Sequence, residues 1–188
     1  MGACINVLMD HTVDDYRDQS AVLARLKPAL PAAITVRDYF NRQDLFEGLD
    51  TRTEWKVNAV IPPSLCFRRY TAPGSLHLKI GPHAAQINAG GRWRGFLSIP
   101  PSHQVHLQAF RSIASALGAT KALYFGDCDD VDDAFYEGGT VETGMGILTG
   151  YMGSPQPSVD EITAEIAAEA EDTVPGVWYY EDLRDSKP

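Results

Sequence analysis

The chain has few cysteines, and none of them are paired in sequence. Cys4, Cys66 and Cys128 are odd in number, lie far apart and form no CxxC motif. No disulfide framework or zinc site is therefore expected, and reduced thiols in a cytoplasm fit best. There is no GxSxG, no Walker A loop and no HExxH, so the common hydrolase, nucleotide and zinc-protease signatures have no basis here. No run approaches the roughly 18 apolar residues that cross a bilayer. The opening MGACINVLMDHTVDD lacks a basic n-region and a long apolar h-region, so no signal peptide is expected. Met1-Gly2 begins like a myristoylation site, but Ile5 and Asn6 do not continue it.

Positive charge is the other scarcity, and it is local. Residues 127–188 hold 2 Lys+Arg against 16 Asp+Glu, whereas residues 1–126 hold 14 against 9. The balances of −14 and +5 sum to the net charge of −9. A polarised chain of this kind either folds back on itself electrostatically or turns an acidic face to something basic. Its C-terminal third would repel phosphates, so no nucleic-acid partner is expected.

At 188 residues with 44% hydrophobic and 22% charged content, the chain suits one globular domain able to bury its own core. No internal repeat or long linker divides it, so residues 1–188 are expected to form one domain, with 184–188 a disordered tail. Ala3 to Met9 reads as a strand. Thr12 is a candidate cap for a helix running to about Leu26, with Asp14 and Asp15 in its first turn and Pro28 and Pro31 ending it. Ile34 to Phe40 is rich in β-branched and aromatic residues. A short helix over Leu45 and Phe46 precedes a strand at Glu54 to Ile61. Ser75 to Ile80 alternates and pairs with Ala84 to Ala89 as a hairpin. Residues 90–95 read as a loop or irregular strand leading to Phe96–Ile99. Ser102 to Leu117 is the strongest helix, with Gly118 at its end. Lys121 to Phe125 reads as a buried strand, Val131 to Tyr136 as a short acidic helix, and Glu142 to Met152 as a helix with Met145, Leu148 and Met152 at helical spacing, weakened by its glycines. Ser158 to Glu161 forms a capping box opening a helix to about Asp172. Val177 to Tyr180 is a last strand or an aromatic anchor. Strands and helices mix without strict alternation, which predicts an α+β fold with a mixed or antiparallel sheet and several packed helices.

The most unusual stretch is GDCDDVDD, residues 126–133, with five carboxylates in eight residues. It fails as an EF-hand, because the glycine position holds Asp132 and the terminal glutamate position holds Gly138. Asp127-Cys128-Asp129 after a strand resembles the opening of aspartyl-phosphate phosphatases, where the first carboxylate attacks phosphorus and Mg²⁺ is shared with the second. Only Lys187 follows as a downstream lysine, so a Mg-dependent hydrolase is the alternative reading. Asp127 or Asp129 as a helix cap accounts for one or two acids, but like charges this close repel by a few tenths of a kcal/mol per exposed pair. A basic protein surface would reward all of them by steering and pairing. The candidate partner-binding residues are Asp127, Asp129, Asp130, Asp132, Asp133, Tyr136, Glu137, Trp178 and Tyr179, the aromatics serving as anchors inside a charged rim.

Other features have plainer readings. His103 and His106 share a helix face but lack a third ligand, so a solvated flank is the better reading than a metal pair. Cys66 reads as a core cysteine. The glycines of 138–146 follow no clear strand of a βαβ unit. Arg92-Trp93-Arg94 has the pattern for stacking on bases, but pairing of Arg68, Arg69, Arg92 and Arg94 with the acidic third is the preferred reading. No catalytic residue, metal or cofactor is expected.

The ordered blocks RWRGFLSIPPSHQVHLQAF, ALYFGDCDDVDDAFYEG, SPQPSVDEI and VWYYEDL resemble those of immunity proteins of bacterial polymorphic and type VI secreted toxins. They are similar to the group accompanying restriction-endonuclease-fold toxins. The resemblance covers about residues 75 to 183 and transfers no individual binding residue. It implies a small cytoplasmic protein without catalysis, monomeric or weakly dimeric, that binds a cognate toxin and blocks its active site. A nuclease toxin is basic where it holds phosphates, which agrees with the acidic stretch.

Overall fold

The computed structural model describes residues 3–43, 49–58, 67–161 and 177–184. Seven strands form one antiparallel sheet: β1 (Cys4–Met9), β2 (Lys56–Val57), β3 (Arg68–Ala72), β4 (Leu76–Ile80), β5 (Ala85–Arg92), β6 (Lys121–Phe125) and β7 (Tyr179–Asp182). Their spatial order is β2-β3-β4-β5-β1-β6-β7. The helices are α1 (Gln19–Leu26), α2 (Leu30–Gln43), α3 (Trp93–Ser98), α4 (Pro100–Leu117), α5 (Asp129–Tyr136) and α6 (Val141–Met152). The fold is α+β.

Alternation along the strands assigns the two faces. Ile5, Val7 and Met9, then Leu76, Leu78 and Ile80, then Ala85, Ile87 and Ala89 join the larger core with Val22, Leu26, Val36, Phe40, Phe96, Phe110 and Ile113 of the helices. Leu8, Leu123 and Phe125 point the other way and pack with Val131, Phe135, Val141, Leu148 and Trp178 in a second core. The β6 run KALYF lacks a polar side because it is covered twice: Ala122 and Tyr124 face one core, Leu123 and Phe125 the other. Arg69 and Thr71 of β3, His77 and Lys79 of β4, and Gln86 and Asn88 of β5 point to this second face, where α5 and α6 lie.

Several expectations need correction. Thr12 caps no helix. Its amide and hydroxyl both reach the Leu117 carbonyl, at 3.0 and 3.3 Å, and α1 is capped instead by Asp18, whose carboxylate accepts from the Ser20 and Ala21 amides. Ile34 to Phe40 lies within α2. Pro28 sits in a single 3-10 turn over Lys27–Ala29 and Pro31 in the first turn of α2, where a missing N–H costs nothing. Burial of Ala32, Ala33, Val36 and Phe40 on one helical face outweighs their neighbours' strand preference. Residues 93–98 are helical, extending the chain from β5 into α4. That helix begins at Pro100 with Ile99 as N-cap and Ser102 inside it, and it ends at Gly118 in the left-handed conformation with φ 70°. A side chain at Gly118 would also strike the Thr12 hydroxyl. Met145 is exposed, and the inward side of α6 is Val141, Gly144 and Leu148. The β2 reading survives at Lys56–Val57. The helices expected over Leu45 and Phe46 and from Ile162 to Asp172, with Cys66 and the last four residues, lie outside the described residues. No helix among them is long and apolar enough to cross a membrane.

Candidate acidic interface

The chain leaves β6 at Phe125, and α5 begins four residues later with Cys128 as N-cap and no side-chain capping bond. Asp127 is therefore not the cap. It is exposed and accepts from the Asn6 amide at 3.1 Å, tying the turn to β1. Asp129, Asp130 and Asp132 occupy the first turn, where the helix dipole favours anions. Val131 and Phe135 are buried in the second core, which fixes the rotation of α5.

That rotation divides the acids. Asp132 turns toward the sheet and accepts a hydrogen bond from the Gln86 amide of β5. Tyr136, one turn on, faces the same way. The buried Lys79 donates to the Tyr136 hydroxyl at 2.8 Å and to the Gln86 Oε1 at 3.1 Å, and lies 4.8 Å from the Tyr136 ring centre. Asp129, Asp133 and Glu137 fall on the outer side at four-residue spacing, all exposed. Asp130 is exposed as well and accepts from the hydroxyl of Tyr151 on α6, which holds the Tyr151 phenol above its ordinary range.

Asp133 and Glu137 differ from the others in their energetics. They lie at the C-terminal end of α5, with Glu137 as C-cap, where the dipole disfavours anions. Each also stands four residues from another carboxylate. Among the described residues no ion pair joins Arg68, Arg69, Arg92 or Arg94 to Asp127, Asp129, Asp130, Asp132, Asp133 or Glu137. The pairs present lie elsewhere, such as Arg111 with Asp160 and Glu181, and Lys121 with Glu142. Nor do three His, Cys, Asp or Glu side chains gather where they could hold a metal ion, again among the described residues.

Two expected anchors are corrected. Trp178 is 1% exposed and packs in the second core, its indole N–H donating to the Gly153 carbonyl at 2.9 Å. Tyr179 is fully buried on the opposite face of β7, 6.2 Å from the Trp93 ring. An unbroken VWYY run fits a strand covered on both faces. The exposed aromatic beside the acids is Tyr151, at 69%. It was missed because it stands off the apolar stripe of α6 and away from the acids in sequence. Lys79 and Gln86 were missed because alternation marks them only as outward residues of a half-buried strand. The histidine flank is corrected too: His106 is fully buried between Phe40, Phe96 and Phe110. Its Nδ1–H donates to the Ser102 carbonyl at 2.7 Å, and burial pulls its pKa down to about 4.

Compared with known proteins, the chain matches no family model, no curated protein and no solved structure.

Proposed function

We propose that the protein is a cytoplasmic immunity-type inhibitor that binds a cognate secreted toxin, a nuclease, through the outer side of α5. The observation that carries this reading is the line Asp129, Asp133 and Glu137. These carboxylates are exposed, and helix electrostatics disfavours two of them at their positions. No cation among the described residues neutralises them. A basic cleft shaped for a phosphate backbone supplies the missing partner charges and draws the inhibitor in from a distance. Tyr151 provides the aromatic contact that Trp178 and Tyr179 do not. Asp132 and Tyr136 act from behind, holding α5 against the sheet. The protein contributes no catalysis in this reading and needs no cofactor.

The test is a charge reversal of Asp129, Asp130, Asp133 and Glu137 to Lys, with association measured against the basic nuclease domain of a candidate cognate toxin. The association rate is expected to fall by about 10-fold or more at low salt and its salt dependence to flatten. Circular dichroism should be unchanged, because none of the four is buried. Unaltered association kinetics would sink the proposal.

A further inference from the structure

We propose that the second sheet face carries, over β3 and β4, a binding site for a small oxyanion of the carboxylate or phosphate type, built on Arg69, His77 and Thr71 with Lys79 beneath. This site lies on the same sheet as the acidic helix and does not depend on the toxin reading.

Register places the charges. Arg69 and Lys79 are direct partners across β3 and β4, as are Thr71 and His77. Tyr70 and Ala72 belong to the helix-covered core, so Arg69 and Thr71 point to the other face with Lys79 and His77. Like charges directly opposite on neighbouring strands destabilise a sheet. Among the described residues no carboxylate forms an ion pair with either of them, although the Tyr136 ring lies 4.8 Å from the Lys79 ammonium. Lys79 is only 6% exposed, and its three donors meet two neutral acceptors, Gln86 and Tyr136. The Arg69 Nε is buried with no acceptor. The nearby cations are already matched: Arg52 by Asp50 at 2.8 Å and Lys56 by Glu54 at 4.0 Å. Asp132 is engaged by Gln86, one strand beyond Lys79. The eight residues between Asn58 and Phe67 contain no charged side chain.

The remaining groups form a linked set. Thr71 donates its hydroxyl to the Asn58 Oδ1 at 3.1 Å, so its contact with the His77 Nδ1 at 3.4 Å has the ring as donor. The His77 Nε2 is then the nitrogen left to take up a proton. His77 sits below its ordinary pKa because it is partly buried and because Arg52, Arg69 and Lys79 repel its charged form. An oxyanion at Arg69 screens that repulsion, so His77 binds a proton as the anion arrives and becomes another donor to it. Guanidinium, imidazolium and a buried ammonium together satisfy an anion's acceptor positions with charge-assisted bonds.

Sulfate, which does not titrate near neutrality, and acetate serve as probes, each against chloride at matched ionic strength. Saturable shifts of the His77 and Arg69 side-chain resonances are expected with sulfate, tightening as pH falls from roughly 8 to 6. Arg69→Gln should weaken binding by about tenfold or more, and Arg69→Lys should retain part of it. His77→Gln should abolish the pH dependence while keeping weaker binding. Saturation by acetate as well would extend the site to planar carboxylates. Linear, non-saturating shifts with both anions, or equal affinity in Arg69→Gln, would overturn the proposal. If Arg69→Gln fails to fold, loss of the pH dependence in His77→Gln decides the matter, and its persistence is the adverse result.

Discussion

The two faces of this sheet come from the same strands and serve opposite ends. Toward α1–α4, every inward position of β1, β4 and β5 is aliphatic and the face is closed by aromatic packing. Toward α5 and α6, only the β1 and β6 side is closed in the same way. Across β3, β4 and β5 that second face instead carries Thr71, Arg69, His77, Lys79, Gln86 and Asn88. The first face uses its burial for stability. The second leaves polar groups whose hydrogen bonds are directional and whose charges are incompletely matched, which is how a surface becomes selective for what touches it.

Truncating one side chain on each face separates them by the largest expected effect. Phe110→Ala, beside Phe96 and Tyr124 in the closed layer, should cost about 3–5 kcal/mol. Asn88→Ala on the open face removes a half-buried amide that donates to Asn6 at 3.0 Å and should cost about 1 kcal/mol. Urea unfolding of both variants gives the two numbers. Comparable losses would mean that the second face is also a closed core.

A polar group inside the closed face gives the next effect. Folding holds the His106 imidazole at a pKa of about 4, against an ordinary 6.5, because burial disfavours its charged form. Between those values the unfolded chain binds the proton and the folded chain does not. Stability therefore falls as pH drops through this window, by about 3 kcal/mol from His106 once the lower end is reached. His11, His77 and His103 are lowered too, each first by burial, and push in the same direction. His106→Phe should remove the largest single part of the slope in unfolding experiments run from neutral pH downward. An unchanged slope would assign the acid sensitivity to the other three.

The contrast also runs through one helix. An Ala side chain at Gly144 would meet the Leu8 side chain at 2.5 Å, whereas at Gly146 it meets nothing within 4 Å. Gly144→Ala should destabilise by about 1–3 kcal/mol through overpacking, and Gly146→Ala should stabilise by about 0.5–1 kcal/mol through helix propensity. Thermal melts with the same sign for both would mean that α6 does not sit on the sheet as described.

Much of this was legible before the structure. β1, β4, β5 and β6 and helices α4 to α6 follow from alternation, helical spacing and glycine stops, because in those segments local preference and tertiary packing agree. Ile34 to Phe40 was not legible, since its β-branched residues argue locally for a strand while Ala32, Val36 and Phe40 are spaced for a buried helical side. Of the candidate site, the acids were visible as a cluster. Which of them turn inward was not, because that depends on where Val131 and Phe135 anchor α5. Trp178 and Tyr179 show the same limit: aromatic character says that a side chain will be buried somewhere, in its own core or against a partner, and only the sheet order decides which.

The smallest effect bears most directly on the acidic helix. Asp133→Asn with Glu137→Gln removes two anions from the negative end of the α5 dipole and relieves their four-residue repulsions. If nothing within the molecule holds these carboxylates, the double variant should be more stable by a few tenths of a kcal/mol at low salt, and the gain should vanish as salt screens it. Asp129→Asn, at the favourable end, should lose a similar amount. Opposite signs at the two ends of one short helix are what dipole electrostatics requires of unpaired acids. If the double variant is instead destabilised, some cation of the chain's own neutralises Asp133 and Glu137, and the outer side of α5 is then not free to meet a basic partner.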